Sequence, residues 1–262
     1  MKTTLKIIFF LFSIGAFACD CDSPNITEKY IQSDFVANVT ILKIYPNKKN
    51  EQGYRADIKI NELFKGKRLK SIYVYGRSDN GIGNSCDIYI PANTQLIAYA
   101  RRNNDGNYGI GMCSGIMYLD YSPRYRKKTL KSNRELKKQK RELDILNTFK
   151  SKNINFTNKI NFREKAKLHK ELKQFNGIEL EKSFGIYEIT FTANLNIKKV
   201  REISGFENSI DQNLIEIIKK TEWTSFSKGV KNNVPESSKL LIGIYFYPKE
   251  KEKSSFLSHY YL

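Results

Sequence analysis

Apolar and polar residues alternate with a period of two in four short stretches of the first half: Phe35 to Ile44, Tyr54 to Ile60, Ser71 to Tyr75 and Gln95 to Arg101. That period sends successive side chains to opposite faces of a strand. Gly-, Asn- and Asp-rich clusters at Pro46 to Gly53, Ser78 to Asn84 and Asn103 to Gly109 supply the turns between them. Short strands at this spacing predict a small sandwich or barrel. The period then changes. Leu136, Leu143, Leu146 and Phe149 recur at helical intervals and predict a helix that packs an apolar stripe on the first domain. Alternation returns at Gly185 to Ala193. Asn194-Leu195-Asn196 reads as a turn and Ile197 to Ile203 as a second strand. Ser209 to Thr221 carries Ile210, Leu214, Ile217 and Ile218 at helical spacing, ahead of Trp223, and Leu240 to Tyr247 is a closing strand ended by Pro248. The order of this last region is β-β-α-β, and the chain as a whole reads as mainly β, α+β overall.

The first eighteen residues stand apart. Lys2 and Lys6 precede an apolar run from Ile7 to Ile14, which closes on Ala16-Phe17-Ala18. This is the layout of a cleavable export signal, with an apolar run too short to span a bilayer. Cleavage after Ala18 makes Cys19 the first residue, and N-terminal sequencing of the exported protein would begin there. Gly15 to Cys19 loosely resembles a lipoprotein cleavage box with Ala16 where Leu is usual. Lipidation would consume the Cys19 thiol and leave an odd number of cysteines, so cleavage without a lipid is expected. The expected organisation is therefore a signal at 1–18, a barrel at 19–123, a basic helix and connector at 124–177, a β-β-α-β domain at 178–250 and a tail at 251–262. No apolar run after the signal is long enough to cross a membrane, so the expected location is the periplasm or the exterior.

All four cysteines, Cys19, Cys21, Cys86 and Cys113, lie in the first half. An even count in an exported chain predicts two disulfides, with three pairings open. A zinc site fits poorly, because no C-x-x-C pair is present and the only histidines, His169 and His259, fall in the other half. His169 lies in a lysine-rich helix and is expected to be exposed; His259 is expected in a frayed tail. No G-x-S-x-G, H-E-x-x-H or Walker A pattern occurs, and two histidines give little scope for a His-based triad. The expectation is a protein that is not an enzyme and takes no cofactor or metal, an undetected envelope enzyme being the alternative of another class. Net charge is +18. Such a charge suits nucleic acid in an intracellular protein, whereas an export signal makes nucleic acid an unlikely partner and favours a protein or an anionic envelope surface. From Arg124 to Arg141 ten Lys or Arg stand against one acid, Glu135.

The first region resembles the netrin-like, or tissue inhibitor of metalloproteinases (TIMP), domain. The resemblance rests on the C-x-C start at Cys19, Ser33-Asp34-Phe35-Val36-Ala37-Asn38-Val39, the strand and Lys65-Gly66 that follow Ile58, and the strand Ile72 to Tyr75. It continues through the Cys86 loop, Thr94-Gln95-Leu96-Ile97-Ala98-Tyr99-Ala100, Cys113 and a following helix. It covers roughly residues 19–150. It implies an OB-like five-stranded barrel with the N-terminal segment stapled across it, through Cys19–Cys86 and Cys21–Cys113. In inhibitory members the first cysteine's α-amine and carbonyl chelate a protease's zinc, which makes Cys19 and Asp20 the candidate protease-contact residues. Those members carry a small or hydroxyl residue where this chain has Asp20, and six cysteines where it has four.

The third region resembles the C-terminal domain of TonB-type proteins, on Gly185 to Phe191, Ile197 to Ser204, Asp211 to Lys220, Trp223, Gly229 and Leu241 to Phe246. The resemblance implies a small periplasmic domain that accepts a partner's strand at its sheet edge, with Leu241, Gly243 and Tyr245 as the candidate edge. It also implies a bacterial source. Trp223 is expected to anchor the core. The combined expectation is an exported, non-enzymatic binding protein of the bacterial envelope or exterior, with metalloproteinase inhibition through Cys19 as the alternative.

Overall fold

The computed structural model describes residues 21, 24–49, 51–81, 83–123, 127–128, 131–154, 160, 162–165, 168–227, 230–231 and 233–259. The predicted signal, Cys19, Asp20 and Gly229 lie outside the described residues. A short helix, α1 (Ile26–Gln32), comes first. Asn25 caps it: its side chain accepts from the Glu28 amide at 2.8 Å, and the Glu28 carboxylate accepts from the Asn25 amide at 3.1 Å.

Five strands then build a closed barrel: β1 (Phe35–Ile44), β2 (Gly53–Lys65), β3 (Ser71–Tyr75), β4 (Gln95–Arg102) and β5 (Tyr108–Ile110). They run β1-β2-β3-β5-β4, and β4 returns to β1 from Phe35↔Ala100 to Thr40↔Gln95. Every pair in the ring is antiparallel except β3 with β5. This is an OB-like barrel in a mainly β protein. Phe35, Ala37, Val39 and Ile41 point inward from β1, where Tyr54, Ile72, Val74, Leu96 and Ile110 meet them. The alanines Ala37, Ala56, Ala98 and Ala100 belong to the same core, where a narrow barrel leaves room for little else. Three register shifts between β1 and β2 let these long strands curl. The opposite face of β1 and β4, carrying Val36, Ile97 and Tyr99, is buried too. Covered on both sides, β4 reads as the unbroken apolar run Leu96 to Ala100. A two-residue strand, β6 (Met117–Tyr118), adds to β4, and β7 (Tyr121–Ser122) pairs with β8 (Lys127–Lys128) as a separate hairpin.

Helix α2 (Asn133–Ser151) is capped by Ser132 and Glu135. Its buried face is Glu142, Ile145, Leu146 and Phe149. Leu136, predicted on that stripe, is 50% exposed. The body of the protein stops one turn later, where the Gln139 amide donates to the Tyr118 and Leu119 carbonyls. The expected docking on the first domain is also broader than the sequence implied. Ile145, Leu146 and Phe149 share a cluster with Val36, Phe64, Ile97 and Tyr99 of the barrel and with Ile186 and Leu241 of the later sheet. The helix therefore fills a seam between two units.

The second unit begins earlier than predicted. Strand β9 (Phe162–Glu164) and helix α3 (Leu168–Leu172) fall in the stretch read as connector. Phe162, Leu168, Leu172 and Phe175 nevertheless share a core with Tyr187, Phe191, Leu214 and Trp223. There follow β10 (Phe184–Phe191), β11 (Ile197–Ser204), α4 (Ile210–Lys219), β12 (Trp223–Ser227), β13 (Val230–Lys231), β14 (Lys239–Tyr247) and β15 (Phe256–Ser258). One antiparallel sheet runs β11-β10-β14-β15, and a smaller one runs β13-β12-β9. Strands β12, β13 and β15 are additions to the predicted order. The predicted tail thus contains a strand. Ser255 ties it down, its hydroxyl donating to Ile178 O at 2.5 Å and its carbonyl accepting from Gly177 N at 2.9 Å. Leu257 enters the core.

Candidate functional site

The end of the barrel that carries the cysteines is the most distinctive surface. Cys21 is bonded to Cys113 across 92 residues, with Cα atoms 5.1 Å apart. Cys113 sits in a single 3₁₀ turn, Met112–Ser114, directly after β5. Of the two pairings the resemblance implies, this one is present. Cys86 is also held in a disulfide, and it lies exposed on the loop between β3 and β4.

Tyr75, the last residue of β3, stands between these anchors. On one side its carbonyl accepts from Ile88 N at 3.1 Å, which folds the Cys86 loop back on the strand. Gly76 makes that possible: its φ is +145°, and a Cβ there would lie 2.2 Å from Ile88 O. On the other side the Tyr75 ring covers Gly109, where a Cβ would come within 2.7 Å of it. Met112 follows two residues after Ile110. Tyr75 and Met112 are 42% and 50% exposed. Two large apolar side chains are thus presented to solvent on backbone held by one bridge at Cys113 and another at Cys86. A few such residues on rigid backbone are what a protein interface uses as anchors.

Beside them lies a polar cleft of about 690 Å³, between the turn from Pro46 to Gln52 and the loop from Gly76 to Asp87. Asn47 joins its walls, donating to Gly76 O at 2.9 Å and accepting from Ser78 N at 2.8 Å. Arg77 reaches Asp79 at 2.5 Å. The Arg77 hydrogen bond, with help from the Gly81 amide, holds the Asp79 carboxyl down at about 2. Arg77 thus pairs with one of the two carboxylates of this loop, while Asp87 accepts from the Asn84 amide at 3.0 Å. Among the described residues no group of three or more His, Cys, Asp or Glu is placed to hold a metal ion. What the cleft offers is hydrogen bonding.

Beneath this end sits a buried ionic network that sequence reasoning missed. Lys29 of α1 reaches Glu142 of α2 at 2.5 Å, and their side chains are 8% and 1% exposed. Tyr99 donates to the same Glu142 oxygen at 2.6 Å, and its ring lies 4.4 Å from the Lys29 ammonium. Lys29 also donates to Gly115 O at 3.3 Å, two residues past Cys113. One signal was available: Glu142 lies three, four and seven positions before Ile145, Leu146 and Phe149, on their face of the helix.

Of the candidate strand-accepting edge, Tyr245 is covered by a further strand, whereas Leu241 and Gly243 pair only with β10 among the described residues. Strand β14 lies between β10 and β15, and Tyr245 pairs with Ser258. Leu241 is buried in the α2 seam and Gly243 is buried as well. The Arg141 guanidinium lies 3.9 Å over the Tyr245 ring. The chain's own β15 covers the end of β14 that Tyr245 marks. Among the described residues β11 is paired on one side only, as is β14 from Lys239 to Ile244.

Trp223 is a core anchor, as expected, with its ring edge-on to Phe191 at 6.2 Å. Asp211 opens α4 from a buried position, accepting from Tyr187 Oη at 2.6 Å, Phe206 N at 2.9 Å and Asn208 N at 3.1 Å. His169 is exposed, as expected. His259 is not frayed: its side chain is 11% exposed and lies 3.4 Å from Glu164. Burial lowers its pKa below the usual 6.5, against the pull of Glu164 and with a push from His169. A histidine held neutral in the fold stabilises it most above pH 6.5, and the contribution is lost as pH falls below that value. Thermal unfolding should therefore occur at lower temperature at pH 5 than at pH 7.5, with a shallower dependence in His259→Leu. Equal slopes for the two proteins would refute this.

No family model matches the chain, and no curated protein matches it.

Proposed function

We propose that this chain is an exported, non-enzymatic binding protein of the bacterial envelope or exterior, whose protein partner docks on the stapled end of the barrel. The observation that carries this reading is the exposure of Tyr75 and Met112 between the Cys86 loop and the Cys21–Cys113 bridge, with the Tyr75 ring against Gly111, the residue before Met112. The OB-like strand order and that bridge support a netrin-like identity for the first unit. The succession β10, β11, α4, Trp223, β14 supports a TonB C-terminal-like identity for the second. Energy transduction is not part of the proposal, since that role needs a long proline-rich spacer and the chain has 6 Pro.

The test is capture of partners from envelope extract by the chain beginning at Cys19, compared with a Tyr75→Ser, Met112→Ser variant. Truncating two interface anchors should weaken a specific partner by at least ~30-fold, taking about 2 kcal/mol as the loss at a hot spot. Identical capture by both proteins would remove this surface from the argument. Inhibition through Cys19 is a second reading, favoured by the fixed position of Cys21 two residues away. A panel of metalloproteinases separates the two: inhibition lost when one residue is added before Cys19 supports it, because the chelating α-amine would be displaced.

A further inference from the structure

The sequence concentrates positive charge between Arg124 and Arg141, and the fold decides how that charge is displayed. Helix α2 is buried only from Glu142 onward, apart from Gln139, which rests on the Tyr118 and Leu119 carbonyls. Its first two turns project. Every residue from Ser132 to Lys138 is exposed, as are Lys140 and, on the preceding hairpin, Lys127.

The acids that would offset this charge are engaged elsewhere. Glu135 is turned back on the helix start, where it accepts from the Ser132 amide and hydroxyl at 2.8 Å. Glu142 points inward to Lys29. Glu250 reaches out to this surface, meeting Lys137 at 3.3 Å in a pair that is more than two-thirds exposed on both sides. Such a pair contributes little and is readily exchanged. Among these charges stands Leu136, half exposed, with Lys137 beside it and Lys140 one turn on.

We propose that the projecting start of α2 is an attachment surface for an anionic lipid bilayer. The charge complementarity is direct, because lysine and arginine side chains on a projecting helix can each find a phosphate in a plane of mobile headgroups. Leu136 supplies an apolar side chain at the depth where headgroups meet acyl chains. A nucleic-acid backbone gives such a leucine nothing to bury in, and no exposed large aromatic residue lies among the described residues from Lys127 to Arg141 to stack on a base. This surface lies on α2 and does not depend on the reading of the barrel end, so the two proposals fail independently.

The test is sedimentation of the chain beginning at Cys19 with vesicles of phosphatidylglycerol and phosphatidylcholine, or of phosphatidylcholine alone. This chain contains every described residue and lacks the apolar run Ile7 to Ile14. Binding is expected to the anionic vesicles only and to be reversed by salt. The variant R134Q/K137Q/K138Q/K140Q should bind ~5-fold more weakly per charge removed, roughly 600-fold in all. Leu136→Ser should cost about tenfold. Both variants change exposed residues, and unchanged thermal unfolding would establish that they fold. Vesicle binding that survives the quadruple change would overturn the proposal. So would preference for duplex DNA or an acidic polypeptide over anionic vesicles at the same salt.

Discussion

Glu142→Ala is expected to lower the unfolding free energy by about 3–5 kcal/mol, the range for leaving one partner of a buried ion pair uncompensated. Lys29 would remain buried with no carboxylate among its described partners, left to the Gly115 carbonyl at 3.3 Å and the Tyr99 ring, and Tyr99 would lose its acceptor. Desolvation holds the Lys29 ammonium below its usual 10.5 even with Glu142 beside it. Glu142 and the Gly115 carbonyl offset that desolvation, and removing the carboxylate takes away the larger share. A triple change, Lys29→Met, Glu142→Leu and Tyr99→Phe, should therefore regain most of the loss or exceed the parent, because matched apolar groups need no compensation. Urea unfolding of the three proteins measures both effects. A neutral Glu142→Ala would show that water reaches the pair and that the network does not hold α1, α2 and the barrel together.

Removing the Cys21–Cys113 bridge, as Cys21→Ser with Cys113→Ser, should cost about 4 kcal/mol. The two residues are 92 apart, and chain entropy sets a ceiling of this order for such a loop. The loss should be local in the native state. Cys21 leads into α1, whose Ile26 and Tyr30 enter the seam, and Cys113 leads to Gly115 against the Lys29 stem. Hydrogen exchange should accelerate in α1 and in Met112 to Gly115. Trp223 belongs to the other core, and its fluorescence should not change under native conditions. A shifted Trp223 spectrum would show instead that the seam transmits disorder into the second unit. Peptide mapping without reduction checks the remaining bridge; a Cys19–Cys86 peptide is the expected result.

Much of the fold was legible because strands and helices differ in period. Phe35 to Ile44 and Ser71 to Tyr75 alternate, and each is a strand with those bounds. Strand β2 extends past the predicted Ile60 to Lys65, through a stretch whose alternation weakens where register shifts occur. The cysteine count left three pairings open; the netrin-like resemblance implied an OB-like barrel stapled at Cys21–Cys113, and the barrel and that bridge are present. These features are local, or depend on few residues, and a one-dimensional pattern records them.

Periodicity alone shows the long strands and helices and the basic stretch that runs into α2, and the resemblance implied the stapled barrel. Which charges face water is set by the packing of distant segments. Lys29 looks like any other member of a charged surface, Glu142 is marked only by its place on the apolar face of α2, and Leu136 looks like one more rung of that stripe. Their burial depends on what lies opposite, and that is supplied by segments far away in the chain: Tyr99 for the first two, and open solvent for the third. The same holds for His259 and for the covering of β14 by β15, since a three-residue strand has too few positions to show a period. Composition marks a charge or an apolar group, but its free energy is set by the dielectric and partners around it, and those exist only once the chain has closed on itself.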